Sequence, residues 1–336
     1  MHIHSPIARG GGAFVVHRML SRGLPHYELA PYNPWLSLFP PLIMQYRNRH
    51  AAVVHAPVDY SVFCAHRGQP LVSTFHGFTF DAGARRHATL LQAIHYGTDL
   101  RWFVQAALRR SAMITAVSDF LARRVREEFA YPGNIHVIHN GVDVQAFTPA
   151  GARGDAPRPL RILFAGNPTR HKGAELVPAI LDRLRGDFEF VYTGGLANRC
   201  GPIRHERAVA LGPVGIEEMP GVYRSADVLL APSRREGFGL AIAEAMACGL
   251  PVVATDCSAI PELVEHGRGG ILCPMDNAQA FADAIHALAD APALRRDMGA
   301  HNRSRVEEKF SLERMLREYR ELFAEIMDRR SPGAEG

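Results

Sequence analysis

Ala231–Pro251 reads APSRREGFGLAIAEAMACGLP. Hydrophobic and β-branched residues before it predict a strand that ends near Ala231. Glu236 then precedes Gly237-Phe238-Gly239, and a helix opens at Leu240. Glycines let the backbone take unusual dihedrals and come close to a ligand. The free N–H groups at the start of the helix carry partial positive charge and suit a phosphate. Glu244 lies eight residues beyond Glu236, so the two carboxylates do not stack on one helical face. One sits in the loop and one on the helix, and both can face a single ligand. A carboxylate accepts two hydroxyl hydrogen bonds, so a ribose or a hexose is a natural partner. The plainer alternative is a helix start with acidic residues in its first turns, which fits one Glu better than the full string.

Outward from this stretch, strands alternate with helices, as in parallel α/β sheets. On its side of the chain the pattern predicts strands at Arg161–Ala165, Phe188–Thr193, Asp227–Ala231 and Pro251–Thr255, and helices at Ala174–Leu184, Leu240–Cys248 and Ala278–Ala289. In the first half, Ala52–His55, Leu71–Phe75, Met113–Val117 and Ile135–Ile138 read as buried strands. Helices fall at Gly12–Arg22, Ala88–Arg110 and Asp119–Phe129, the last with Ser118 as N-cap. Residues 148–159 (TPAGARGDAPRP) lack a periodic apolar pattern and form the candidate linker. The expected architecture is α/β: two doubly wound Rossmann-like domains, 1–147 and 148–311, facing each other across a cleft. The amphipathic helix at 312–330, with Leu312, Met315, Leu316, Tyr319, Leu322, Phe323 and Ile326 at helical spacing, is expected to pack back on the first domain. Ligands of such sheets bind at the carboxyl ends of the strands.

Composition excludes other classes. The chain has 336 residues, 47% apolar and 21% charged, an ordinary globular balance sized for two domains. A net charge of +4 is too small to indicate a nucleic-acid binder. The charge is uneven: residues 1–150 hold 14 Arg/Lys against 8 Asp/Glu, and the remainder 24 against 26, so the first half is the better candidate to meet an anionic partner. Of the 38 basic residues, only Lys172 and Lys309 are lysines. The longest uncharged run, Leu29–Tyr46, contains Pro31, Pro34, Pro40 and Pro41 and does not read as a spanning helix. No apolar signal segment opens the chain, and five scattered cysteines without a CxxC pair point to a reduced, cytoplasmic protein without structural zinc.

A second chemical stretch is Phe164–Gly173, FAGNPTRHKG. A strand ends at Ala165, a loop carries Arg170 and Lys172, and a helix follows: two cations before a helix form an anion site, unless both are simply solvated surface charges. A G-x-x-x-x-G-K-[ST] loop is absent, which removes support for ATP hydrolysis. In the first half, Arg9-Gly10-Gly11-Gly12 follows a short N-terminal strand and opens a helix. His76 sits at a strand's carboxyl end, where a lone histidine is more often structural than catalytic. The pairs His2/His4 and His136/His139 could suggest metal, but no carboxylate or cysteine completes either set, so no metal is expected.

These residues together resemble a known family. EGFGLAIAEAMACGLPVVAT, with Ile260-Pro261-Glu262-Leu263-Val264, is similar to the E-x7-E signature of retaining GT-B glycosyltransferases of group 1 and family four. HNGVD at 139–143, with Phe147 and Pro149, looks like that family's hinge. Gly212, Tyr223, Ala226-Asp227 and Pro232-Ser233 also match. The resemblance implies a hexosyltransferase that moves sugar from a nucleoside-diphosphate sugar to a glycan or lipid-linked acceptor, with retained anomeric configuration and without a metal or other cofactor. Glu236 would lie near the sugar hydroxyls, and Glu244 would hold the ribose. Backbone at Phe238, Gly239 and Leu240 would contact sugar and phosphate. Lys172 would neutralise the diphosphate. The family's arginine after Gly166 is here Asn167, with Arg170 as its replacement. Gly11 and Gly12 would approach donor phosphates and acceptor, and His76 would line the reaction centre. The leaving phosphate oxygen is the favoured base, so Glu236 is a positioning group and not a hydrolase-type nucleophile.

The implied setting is cell-surface polysaccharide or lipopolysaccharide synthesis at the inner face of a membrane. Tyr27, Tyr32, Trp35, Phe39 and Tyr46, set among prolines, read either as an interfacial or lipid-acceptor surface or as a packed irregular loop. Two other functions compete: a sugar-nucleotide epimerase of similar shape, and a non-catalytic sugar-nucleotide-binding partner.

Overall fold

In a computed structural model, which describes residues 1–78, 80, 99–151, 158–194 and 202–329, the chain divides into two compact units. Unit 1 comprises 1–141 and 312–336, and unit 2 comprises 142–311. The first division falls inside HNGVD. Unit 1 contains β1 (Ile3–Ala8), α1 (Gly12–Gly23), β2 (Tyr27–Tyr32), β3 (Val53–Pro57), β4 (Leu71–Phe75), α2 (Asp99–Arg110), β5 (Met113–Ala116), α3 (Asp119–Phe129) and β6 (Ile135–Val137). Unit 2 contains β7 (Leu160–Phe164), α4 (Val177–Leu181), β8 (Phe188–Tyr192), β9 (Ala208–Ala210), α5 (Met219–Ser225), β10 (Val228–Ala231), α6 (Leu240–Ala247), β11 (Val252–Thr255), α7 (Ile260–Leu263), β12 (Gly270–Cys273), α8 (Ala278–Asp290) and α9 (Pro292–Lys309). The last helix, α10 (Leu312–Asp328), belongs to unit 1.

Each unit is built on a six-stranded sheet whose strand pairs are parallel. The order is β2-β1-β3-β4-β5-β6 in unit 1 and β12-β11-β10-β7-β8-β9 in unit 2. The chain therefore winds outward in one direction, then returns to the other side of the starting strand. The reversal lies between β1 and β3 in unit 1 and between β7 and β10 in unit 2. Loops leaving the two central strands part at such a reversal and open a crevice. Strands covered on both faces need continuous apolar runs, and β4, β5 and β11 are buried along their whole length.

Several elements depart from the periodicity. The stretch 27–32 forms strand β2, which its proline obscured: the strand lies at a sheet edge, where Pro31 is tolerated. Helix α4 is shorter than the predicted 174–184, because turns occupy 173–176 and Gly173 holds φ +71°. Helix α9 has no apolar stripe to betray it: Arg and Glu dominate its sequence, and Met298, Gly299, Asn302 and Val306 are its buried residues. In the predicted helix 88–110, residues 88–98 lie outside the described residues. So do 152–157 of the candidate linker and Cys200.

Helix α10 covers unit 1 with Met315, Tyr319, Leu322, Phe323 and Ile326, all buried. Gly23 ends α1 where the Leu316 side chain leaves no room for a Cβ. In unit 2, Arg303 of α9 donates to the carbonyls of Val144 (2.9 Å), Phe147 (2.6 Å) and Ala247 (3.0 Å). Three carbonyls converge on one guanidinium, which fastens residues 144–147 to α6 and α9. Arg303→Ala is expected to lower unfolding free energy by about 2–3 kcal/mol, because those carbonyls lose charged donors. Lysine, lacking the fork, should recover little of it. Chemical denaturation of the two variants against wild type measures both.

Candidate functional site

The reversal in unit 2 gathers the loops after β7 and β10. Gly166 leaves β7 at φ +115°, and its N–H donates to Thr193 Oγ1 (2.8 Å) at the end of β8. A single turn of 3-10 helix, Arg170–Lys172, then ends at Gly173. A Cβ at Gly173 would run into the Pro232 carbonyl, so only glycine lets the two loops lie this close. Arg234 locks them together. Its N–H donates to the His171 carbonyl (2.8 Å) and its guanidinium to the Arg170 carbonyl (3.1 Å), while Glu175 and Asp276 (2.7 Å) hold it by ion pairs.

This arrangement sets Lys172 Nζ 2.5 Å from Glu236 Oε1. Both side chains are largely withdrawn from water, at 24% and 11% exposure, so the pair is worth more than a surface ion pair. They line a narrow recess with Phe164, Ala231, Ser233, Gly239 and Ile242. Gly239, at φ +106°, caps α6 without a side-chain hydrogen bond, and no acidic residue occupies the first turn. The N–H groups of Ile242 and Ala243 donate to the Gly239 carbonyl (2.9 and 3.0 Å), and no side-chain cap serves those of Leu240 and Ala241, the first turn that a ligand anion would meet. Phe238 turns inward and packs on Phe310 (5.7 Å between rings), leaving its backbone to serve the loop.

Glu244 sits one turn into α6, facing Tyr223, whose hydroxyl donates to Oε2 (2.7 Å). Burial raises the Glu244 pKa to about 7, against the opposing pull of Tyr223 and Lys172. Tyr223 is itself buried, and its own pKa is pushed well up by burial and by Glu244, so it stays a donor. Spacing held no signal for Tyr223, which only the family resemblance singled out. Gly212 (φ +74°) accepts from the Gly194 N–H (2.8 Å), bringing the loops after β8 and β9 together. Arg170 is exposed. Asn167 Oδ1 is buried without a hydrogen-bond partner among the described residues. The structure thus brings Lys172, Glu236 and Gly239 to one recess, with Leu240 next to Gly239 in the chain and Glu244 one turn further along α6.

In unit 1, Gly11 (φ +85°) caps α1, and Gly12 opens it at the carboxyl end of β1. Open space surrounds both α-carbons, and α1 has neither a side-chain cap nor an acidic first turn. His76 follows β4 and is half-buried, its Nε2 3.0 Å from Nε2 of His17 on α1. The sequence singled out His76 and missed His17, because nothing in a helix sequence shows which face meets a distant loop. Two histidine pairs need correction. His2 and His4, read as lacking a carboxylate, both meet Glu28 Oε2 (3.0 and 2.9 Å), and Asp119 lies 3.9 Å from His139. These carboxylates come from other strands and helices, which sequence proximity does not reveal. His4 also meets the Tyr46 carbonyl through Nε2 (2.7 Å), an ordinary structural use of a buried histidine.

The raised pKa of Glu244 has a direct consequence for stability. Below the unfolded value near 4.5 both states are protonated, and Glu244 is neutral in its effect. As pH rises toward about 7, the unfolded chain ionises first, so Glu244 progressively destabilises the fold, by on the order of 3 kcal/mol in full. Unfolding of wild type and Glu244→Gln across this range is expected to show the wild type losing stability relative to the variant, with the difference level above pH 7.

Residues 2–146 match the family described as Glycosyltransferase Family 4, and residues 159–291 match Glycosyl transferases group 1. A D-inositol 3-phosphate glycosyltransferase from Pseudarthrobacter chlorophenolicus is 37% identical over 207 residues, 56% of this chain and 49% of that protein. The chain spans about half the length of the first such relatives. The alpha-maltose-1-phosphate synthase of Mycolicibacterium smegmatis is 26% identical, over 96% of this chain and 90% of that protein. The fold is that of sucrose-phosphate synthase from Thermosynechococcus elongatus (TM-score 0.78, 18% identity, 98% of this chain and 100% of the other). It is also that of Anabaena HepE, solved with UDP and glucose (TM-score 0.77, 18% identity, 96% and 99%). With two glycosyltransferase families matching successive stretches that together take in most of the sequence, and two Rossmann-like sheets beneath them, the chain belongs to the GT-B glycosyltransferases of group 1 and family 4.

Proposed function

We propose that the protein is a hexosyltransferase: it moves a sugar from a nucleoside-diphosphate sugar to a hydroxyl of a glycan or lipid-linked acceptor, with retention of anomeric configuration and without a metal ion. The observation that carries this reading is the Lys172–Glu236 pair beside the free N–H groups of α6. As the glycosidic bond breaks, charge accumulates on the departing diphosphate. Lys172, the exposed Arg170 and the start of α6 would stabilise that charge, the service a metal provides elsewhere. Glu236 would then accept from sugar hydroxyls, and Glu244 from the ribose. The buried, unpartnered Asn167 Oδ1 would accept a further donor hydroxyl. In unit 1, Gly11 and Gly12 leave the N-terminus of α1 open for phosphate or acceptor, and His76 would line the reaction centre. HepE, of the same fold, was solved with UDP-glucose, which supports a nucleotide-sugar donor here.

The test is nucleoside-diphosphate release from a panel of UDP-, GDP- and ADP-sugars with and without acceptor. Acceptor-dependent release is expected. Lys172→Ala and Glu236→Ala should each cut kcat about 100-fold or more while unfolding stays cooperative. A changed sugar without transfer would indicate an epimerase. Binding without turnover would indicate a non-catalytic partner.

We also propose that unit 1 works at the inner, cytoplasmic face of an anionic membrane, as cell-surface polysaccharide or lipopolysaccharide synthesis requires. No described helix is long and apolar enough to cross a membrane, so such an association would be peripheral. Tyr27 and Tyr32 are buried and drop out of the interfacial reading of 27–46, which exposure favours only for the stretch around Trp35 and Phe39. Trp35 is 67% exposed, Leu38 77% and Phe39 61%, with Leu42 and Met44 also exposed on the same pair of 3-10 turns. A run of exposed apolar residues of this kind, with exposed Arg49 close by in sequence, suits an anionic lipid surface. Cosedimentation with phosphatidylglycerol vesicles should weaken with Trp35→Ala and with added salt. Equal binding by the variant would exclude this surface.

A further inference from the structure

Six of the polar side chains buried inside unit 1 form one connected chain. Ser5 of β1, His17 of α1, Tyr27 of β2, His55 of β3, Thr74 of β4 and Thr115 of β5 are all buried. His17 Nδ1 meets two hydroxyls, Ser5 Oγ at 2.7 Å and Tyr27 Oη at 3.0 Å. Tyr27 Oη also meets His55 Nδ1 at 2.7 Å. His55 Nε2 reaches Thr74 Oγ1 at 2.7 Å, and Thr74 meets Thr115 at 2.5 Å. The His17 and His55 rings stack at 4.4 Å. At the other end, His17 Nε2 lies 3.0 Å from His76 Nε2, while His76 Nδ1 is buried with no hydrogen-bond partner among the described residues.

The wiring admits two proton arrangements, set by whether His17 Nδ1 accepts from Ser5 or donates to Ser5 and Tyr27. Two imidazole nitrogens 3.0 Å apart share one proton: with none there is no bond, and with two they repel. Burial holds His17 and His55 well below the usual histidine pKa and lowers His76 to about 4, so each ring is neutral at physiological pH. In the first, the buried Ser5 hydroxyl gives its proton to His17 Nδ1 at 2.7 Å. Tyr27, kept a phenol by burial, gives its own proton to the closer His55 Nδ1. With Nδ1 accepting, the neutral His17 carries its proton on Nε2 and donates to His76 Nε2. His76 then carries its proton on Nδ1.

We propose that His17 is a positioning residue for His76: backed by Ser5, it fixes the ring and its tautomer, so that His76 offers a neutral Nδ1–H donor to a substrate oxygen. A half-satisfied buried chain is costly, whereas a complete one holds a single arrangement. The substrate chemistry implied is an acceptor atom, the oxygen of a sugar hydroxyl or of a phosphate, and not a group that must itself be deprotonated. The proposal rests on the reading of His76 as a reaction-centre residue, and its test separates the two.

The full chain is labelled with 15N-histidine, and two-bond 1H–15N correlations are recorded between about pH 6 and 8, where an ordinary histidine titrates. The His76 pattern is assigned from its loss in His76→Gln. The wild type is expected to show His76 protonated on Nδ1 throughout. His17→Phe should convert it to a mixture of tautomers and lower kcat about tenfold, with the donor KM little changed. His17→Gln places an amide N–H where the imidazole Nε2–H stood, and should restore both readouts. Ser5→Ala, a smaller change, should loosen the tautomer in the same direction and serves if His17→Phe does not fold. A wild-type His76 protonated on Nε2, or a pattern unmoved by Ser5→Ala and His17→Phe, overturns the relay. A changed tautomer with unchanged kcat leaves the wiring in place but overturns its use in the reaction, and with it the assignment of His76 to the reaction centre.

Discussion

Lys172 Nζ and Glu236 Oε1, 2.5 Å apart, join loops that leave the two central strands of unit 2 on either side of the winding reversal. A lysine beside a carboxylate, both shielded from water, persists only if the backbone beneath keeps them together, since the separation of either charge would leave the other poorly solvated. That backbone is secured by Gly173, which lets the Lys172 loop lie against Pro232, and by Arg234, which binds the carbonyls of Arg170 and the side chains of Glu175 and Asp276. The same loop continues through Gly239 into α6. One constraint thus sets the cation, the loop carboxylate and the open helix N-terminus at a single place.

The two units repeat one plan with different electrostatics. In each, a glycine at positive φ opens a helix beyond a strand's carboxyl end, without a side-chain cap and without an acidic first turn. Unit 2 surrounds its helix with charged groups, Lys172 and Glu236 among them, and burial raises the pKa of Glu244. Unit 1 instead places neutral histidines and hydroxyls behind its helix, where desolvation keeps the rings uncharged. A charged crevice suits an anionic leaving group, and a neutral, hydrogen-bonded one suits a hydroxyl that is to be oriented. Helix α10 completes the neutral set by laying Tyr319 and Phe323 against His55, at 5.2 and 5.6 Å between rings.

Legibility differed by the range of the interaction. The stretch 231–251 showed its strand, glycine turn and helix because each depends on neighbours within a few residues. Its glycines do have the positive φ the turn needs at Gly239, and Glu236 and Glu244 do fall on loop and helix. Strand β2 was hidden by Pro31, whose tolerance depends on lying at a sheet edge, and a sequence does not state which strand is an edge. Helix α9 was hidden because it buries little apolar surface and is held instead by Arg303 and Asn302 reaching distant carbonyls.

The sequence by itself determined the alternation of strands and helices, the glycine-led helix starts and the residue types able to hold a sugar and a diphosphate, because those are local properties of backbone freedom, periodicity and side-chain chemistry. Tertiary structure alone decided which distant groups meet. Lys172 finds Glu236 across 64 residues and His17 finds His76 across 59. Glu28 joins His2 and His4 from the neighbouring strand. Such meetings depend on the order in which strands are laid into a sheet, and that order is selected by the burial of the whole domain, which no short stretch of chain encodes.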